Sequence, residues 1–146
     1  MRKSKANMTP EEIEEKRKQL VQLLDKHAPA LDTLAQICFE IAELNGFYDG
    51  AERDEDLNFG ERCALLHSEI SEAFESYRKF GYEGRDDHLP QHSAVKVEII
   101  DNIVRSLDMY RALLQTGPYM SVSPSEVFFD KCMYNIERPY KHNKSC

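Results

Sequence analysis

Three times along this chain a small polar residue is followed, three positions later, by a glutamate: Thr9 with Glu12, Asn58 with Glu61, and Ser123 with Glu126. Each pair has the form of a capping box, in which the two residues satisfy backbone N–H groups that the first turn of a helix leaves free. Pro10 and Pro124 stand at the first helical position of two of them, where the missing N–H of proline costs nothing. Ser93 offers a plainer cap before an apolar-periodic run reaching Gln115, and Gly117-Pro118 supplies a stop behind it. The punctuation and periodicity predict helices over about 10–27, 31–45, 58–80, 94–115 and 124–136, with almost no strand signal. The fold class is therefore all-α, with polar, glycine-containing loops at Gly46–Leu57 and Gly81–His92 that have the composition of mobile segments.

A length of 146 residues fits one helical domain, with an extra N-terminal helix at 10–27 and a polar C-terminal tail at 139–146. Acidic residues outnumber basic ones by 26 to 19, for a net charge of −7, which argues against a partner bound by neutralising a phosphate backbone; polymeric nucleic acid is not expected. A small phosphorylated ligand stays open, because a divalent cation reverses the field of a carboxylate-lined pocket. Cys38, Cys63, Cys132 and Cys146 are scattered without a C-x-x-C pair and read as reduced thiols, so a cytoplasmic location is expected. The basic start, Met1 to Lys5, leads into a charged segment and not an apolar one, so it does not read as a secretory signal. No membrane partner is expected either: the most apolar stretch, Leu31 to Leu44, is too short to span and carries Asp32, Glu40 and Glu43.

Residues three apart on a helix project from nearly the same face. Glu69 and Glu72 are such a pair, predicted to border an apolar stripe of Leu66, Ile70, Ala73, Phe74 and Tyr77. Glu98 and Asp101 repeat the spacing on the next long helix, beside Ile99, Ile100, Ile103, Leu107, Tyr110 and Leu114. A loop with glycines joins the two helices, so antiparallel packing would set the four carboxylates around one small space. Like charges so placed repel, and a divalent cation resolves the repulsion; all-oxygen ligation favours Mg²⁺, with Mn²⁺ as a substitute. One such acid pair is uninformative, since the spacing recurs at Glu11/Glu14, Glu12/Glu15, Glu52/Glu55 and Glu72/Glu75 and is common on solvated helix faces. The information lies in two pairs on successive amphipathic helices. Arg105 has an ordinary reading as an ion-pair partner of Asp101 or Asp108 on its own helix.

The residues Glu69-Ile70-Ser71-Glu72 and Glu98-Ile99-Ile100-Asp101, within LLHSEISEAFESYRK and VEIIDNIVRSLDMY, resemble the E-x-x-E…E-x-x-D signature of the MazG-like all-α nucleoside triphosphate pyrophosphohydrolases. The match runs from about Asn58 to Arg138, and a later Lys131…Asn135…Arg138-Pro139-Tyr140 run adds to it. The resemblance implies a helical bundle completed by homo-oligomerisation, a homodimer or homotetramer. It also implies cleavage of a nucleoside triphosphate, often a deoxynucleotide, to the monophosphate and pyrophosphate. Carried over, Glu69, Glu72, Glu98 and Asp101 hold Mg²⁺, with water activated by the metal or by one of these carboxylates, Glu72 being the choice among them. Lys131, Asn135 and Arg138, at i, i+4 and i+7 on one helical face, would meet the phosphate chain, joined by Lys79. Phe47, Tyr48, Phe59, Phe80 and Tyr82 flank the two loops and can stack on a base, Phe59 being assigned to the substrate; packing is the ordinary role for the others. No tryptophan is present, so relatives that stack their base on indole are not matched. The rival reading is a non-catalytic helical module that binds nucleotides or protein partners. A carboxylate-bridged redox protein is disfavoured, because His67, His88, His92 and His142 form no E-x-x-H pattern.

Overall fold

The computed structural model describes residues 5–50, 58–114 and 122–139. Among them, five α-helices carry the fold: α1 (Pro10–His27), α2 (Ala30–Leu44), α3 (Phe59–Phe80), α4 (Ala94–Leu113) and α5 (Pro124–Glu137). Short 3-10 turns occupy Lys5–Asn7 and Gly81–Glu83, and among the described residues there is no named strand, only an isolated bridge between Arg85 and Ser93. The predicted starts of α1, α3 and α5 are placed well because their caps form. Thr9 and Glu12 make the full reciprocal box, while the side chains of Asn58 and Ser123 accept from the backbone N–H of Glu61 and Glu126. Ser93 differs from its expected role: it stands at the N-cap of α4, but its hydroxyl donates to the Tyr82 carbonyl at 2.9 Å instead of capping the helix. Gln115, Gly117 and Pro118, the predicted end of this helix and its stop, lie outside the described residues.

The chain divides into two compact units, one of residues 1–33 with 122–146 and the other of 34–121. In the first, α1 packs against α5. Lys5 Nζ donates to the carbonyls of Ile136 and Arg138, both at 2.8 Å, supplying donors and positive charge where α5 ends. At the other end of α5, Asp32 accepts from the Ser125 backbone N–H at 2.8 Å and from its hydroxyl at 2.6 Å. An apolar groove of about 410 Å³, lined in part by Ile13, Leu20, Leu24 and Ile136, runs beside this pair.

In the second unit, α3 and α4 make the most extensive packing. Arg62 meets Asp108, the Leu66 carbonyl meets Asn102, and Glu72 lies beside Glu98, so α4 descends as α3 rises and the two are antiparallel. The turn between them starts at Gly81, whose φ of +64° suits a residue without Cβ. This segment is closely self-bonded. Asp86 accepts from the backbone of His88 and Leu89, and backbone bonds join Asp86 to His92 and Gly84 to Ala94. The matching part of the other loop, residues 51–57, lies outside the described residues. From α2, Gln36 accepts from Arg111 at 2.5 Å, and the Phe39 ring meets that of Tyr48 at a tilt, centroids 4.9 Å apart, and lies under Arg111.

The faces used in this unit match the predicted ones only in part, with Leu66, Leu107, Tyr110 and Leu114 half-buried as expected. Ala73 is buried, but Ile70, Phe74 and Tyr77 on α3 and Ile99, Ile100 and Ile103 on α4 are all exposed, Phe74 by 61% and Ile100 by 55%. The α3–α4 seam instead runs along Arg62, Leu66, Glu69 and Ala73, so Glu69 lies within the seam and not at the border of an apolar one. Two antiparallel helices share one seam, and these apolar arcs are too broad to be covered by it. Buried apolar residues among those described are mostly small, Ala28, Ala35, Ala73, Ala94 and Ala112 with Phe39.

Candidate metal centre

Three carboxylates meet where α3 crosses α4. One oxygen from each of Glu69, Glu72 and Glu98 lies within 4.8 Å of the others, Glu69 being buried, Glu98 half-buried and Glu72 exposed. The cause is local and legible: Glu69 and Glu72 stand three positions apart on α3, and antiparallel packing brings Glu98, in the second turn of α4, opposite them. Asp101, the fourth predicted ligand, stands one turn further along α4. It is exposed and lines the adjoining cavity, and it lies outside the close group of three.

Burial pushes the Glu98 carboxyl up to about 7, with further upward push from Glu72, Glu69, Asp101 and Asp86 in that order. Asp86 is thus a fifth acid felt at the site. It is buried at the base of α4, held there by its turn, and sequence reasoning did not single it out. Its signal was the D-D-x-L-P stretch at Asp86–Pro90, which reads as a turn and says nothing of proximity to Glu98.

Arg105 does not pair within its own helix. Its Nε lies 2.7 Å from Glu69 Oε1, across the seam, and Asp108 is taken instead by Arg62 and Tyr48. Glu69 is too deep to be left without a cation, and Arg105 is the one that reaches it from α4. Beside it, Asn102 Nδ2 donates to the Leu66 carbonyl at 2.7 Å, tying the two helices one turn from the carboxylates. Both contacts follow from the same helical face, since Glu98, Asn102 and Arg105 recur at intervals of four and three.

A cavity of about 530 Å³ opens next to this group, with Asp101 and Arg105 in its wall alongside Tyr48, Arg62 and Asp108. Ile41, Leu65 and Val104 give it an apolar side, and Phe47 also lines it. A volume and mixture of this kind suit a small organic ligand. Phe59 is exposed at the start of α3, and Phe80 is exposed at its end. Lys79 pairs with Glu75 at 2.9 Å on the surface of α3. Lys131, Asn135 and Arg138 belong to the other unit, where Lys131 and Arg138 both stand over the Tyr134 ring and Arg138 approaches Asn135 at 3.5 Å. The expected continuous face of these three is cut short: α5 ends at Glu137, and Arg138 is extended, as the residue before a proline tends to be.

The donor set fits a hard divalent cation. Its candidate donor atoms are all carboxylate oxygens, and Glu98 among them is pushed up first by burial and then by Glu72, Glu69, Asp101 and Asp86. No family model, curated protein or solved structure matches this chain. Among the described residues, no helix is long and apolar enough to cross a membrane. Cys38, Cys63 and Cys132 are free thiols, and Cys146 lies outside the described residues.

Proposed function

We propose that this protein is a Mg²⁺-dependent nucleoside triphosphate pyrophosphohydrolase of the MazG-like type, acting on deoxynucleotides among its substrates. The observation that carries this reading is the convergence of Glu69, Glu72 and Glu98 within 4.8 Å from two antiparallel helices, at the positions the resemblance names. With Asp101, these residues would hold the cation. When bound, such an ion neutralises phosphate charge and makes water a better nucleophile near neutral pH.

The protein's own groups divide the remaining work. Glu72 is the most exposed carboxylate of the three and is assigned to accept a proton from the attacking water. The adjoining cavity takes the nucleoside part, with its apolar side toward the base. Lys131, Asn135, Arg138 and Lys79 keep their assignment to the phosphate chain on the resemblance alone. Exposed Ile and Phe side chains on α3 and α4 support assembly into a homodimer or homotetramer, a C2 dimer being the simplest closed form.

Two observations favour the rival, a non-catalytic module: Arg105 already compensates Glu69, and Glu98 is pushed up to about 7, so the acids tolerate one another without an ion. Incubating the protein with Mg²⁺ and each common NTP and dNTP, and separating products by ion exchange, decides between the readings. Monophosphate plus pyrophosphate, lost in Glu98→Gln with the fold intact, supports the enzyme. Absence of turnover with all substrates, in Mg²⁺ and in Mn²⁺, favours the module.

A further inference from the structure

Arg105 belongs to two features at once. Its Nε is 2.7 Å from Glu69 Oε1, and the same side chain lines the cavity beside the carboxylates. The two partners are unequally placed, Glu69 having only 6% of its side chain exposed and Arg105 39%. Among the described residues, no other Lys or Arg forms an ion pair with Glu69, Glu72 or Glu98. A carboxylate this deep has a choice of rotamers that only its neighbours can restrict, and the planar, rigid guanidinium is the group best suited to restrict it.

We propose that Arg105 is a positioning residue of the cation centre, fixing Glu69 toward Glu72 and Glu98 so that the ion meets a ready-made set of oxygens. The inference rests on the reading of these carboxylates as a cation site. Arg105 acts through Glu69 and makes no contact with the ion. Partners that orient a ligating side chain in this way commonly matter about 10–100-fold in metal affinity. An alternative consequence of the same geometry is competition, in which the guanidinium substitutes for the ion; it predicts the opposite sign.

The test is Mn²⁺ titration of the purified full-length protein, read as free Mn²⁺ by electron paramagnetic resonance, without nucleotide. Circular dichroism and a thermal melt accompany each variant. Arg105→Gln is expected to bind about tenfold more weakly than wild type, or weaker still. In a Glu69→Gln background, the same change should cause no further weakening, because the residue it acts through is gone. Affinity of folded Arg105→Gln equal to or tighter than wild type overturns positioning, as does an equal loss in both backgrounds. If Arg105→Gln does not fold, Arg105→Lys carries the comparison, since it keeps the charge but loses the planar fork: weaker binding only when Glu69 is present supports the proposal, and unchanged binding overturns it. A wild-type protein that binds no Mn²⁺ would instead sink the cation reading on which the proposal rests.

Discussion

The Tyr48 hydroxyl donates to Asp108 Oδ1 at 2.5 Å, and Arg62 Nη1 closes the triangle, 3.3 Å from Asp108 Oδ2 and 3.1 Å from the hydroxyl. Arg62 also lies over the Tyr48 ring, 4.5 Å from its centroid. The triangle joins α3, α4 and the turn after α2, and forms part of the cavity wall. Burial raises the Asp108 carboxyl, against the lowering effects of Tyr48 and Arg62; the phenol is pushed far above its usual range, first by burial and then by Asp108, so it stays a neutral donor. Tyr48→Phe deletes one bond to a largely buried acid and is expected to cost about 1–2 kcal/mol in urea unfolding. Combined with Asp108→Asn in a double-mutant cycle, it should show strong coupling; additive losses would mean that the contact contributes nothing specific.

The crowding at Glu98 makes a prediction about pH. Its carboxyl titrates at about 7 in the fold, above the ordinary 4.5, chiefly because it is buried and then because of Glu72, Glu69, Asp101 and Asp86. Between those values the folded chain holds a proton that the unfolded chain has released. The contribution to stability is therefore present at the acid end of the window and is lost as pH rises through about 7. The melting temperature of chelator-treated protein should fall from about pH 5 to about pH 8, and Glu98→Gln should flatten that fall. Mg²⁺ added at the alkaline end should recover the loss, since the ion takes over from the proton. An equal slope in wild type and Glu98→Gln would place the pH dependence elsewhere.

The starts of α1, α3 and α5 were readable because each has a local chemical cause. Thr9, Asn58 and Ser123 bond the N–H groups their types predict, and the boundaries followed to within a residue or two. The close meeting of Glu69, Glu72 and Glu98 was readable for a related reason, helical spacing plus one antiparallel turn. What could not be read is which arc of each helix faces its neighbour. Ile70 and Phe74 have the stronger claim to a core on hydrophobicity, yet Glu69 lies inside and they lie out. That choice depends on how many other surfaces compete for the apolar arc, and a single chain's periodicity does not count them. The pairing of Arg105 with Glu69 across the seam, and not within its own helix, has the same root. Partners at i±3 and i±4 can be listed from sequence, whereas Glu69 is a neighbour only through the register of two helices.

The two glutamates on α3 should separate binding from folding. Glu72 is exposed, so Glu72→Gln is expected to change stability by less than about 0.5 kcal/mol. It should nevertheless weaken Mn²⁺ binding severely and abolish pyrophosphate release. Glu69→Gln removes the partner of Arg105 as well as a ligand. Because Arg105 is more than a third exposed, solvent limits the cost to about 1 kcal/mol, measurable in the same urea titration. If Glu72→Gln retained full Mn²⁺ affinity, the close carboxylate group would be a solvated surface and not a site.

The apolar arcs left open on α3 and α4 lead to the final prediction. Ile70 and Phe74 on one helix, and Ile99, Ile100 and Ile103 on the other, are each about half exposed, which leaves on the order of 5 kcal/mol of potential burial unrealised in one copy. A second copy of the same chain presents the same unsatisfied arcs and can cover them by two-fold symmetry. Sedimentation equilibrium at micromolar concentration should accordingly give a dimer or a tetramer. Phe74→Glu with Ile100→Glu should yield a monomer whose melting temperature no longer depends on protein concentration, because burial of those arcs and association are the same event. A wild-type monomer with a concentration-independent melt would remove assembly from the reading while leaving the carboxylate centre, which lies within one chain, open to the cation tests above.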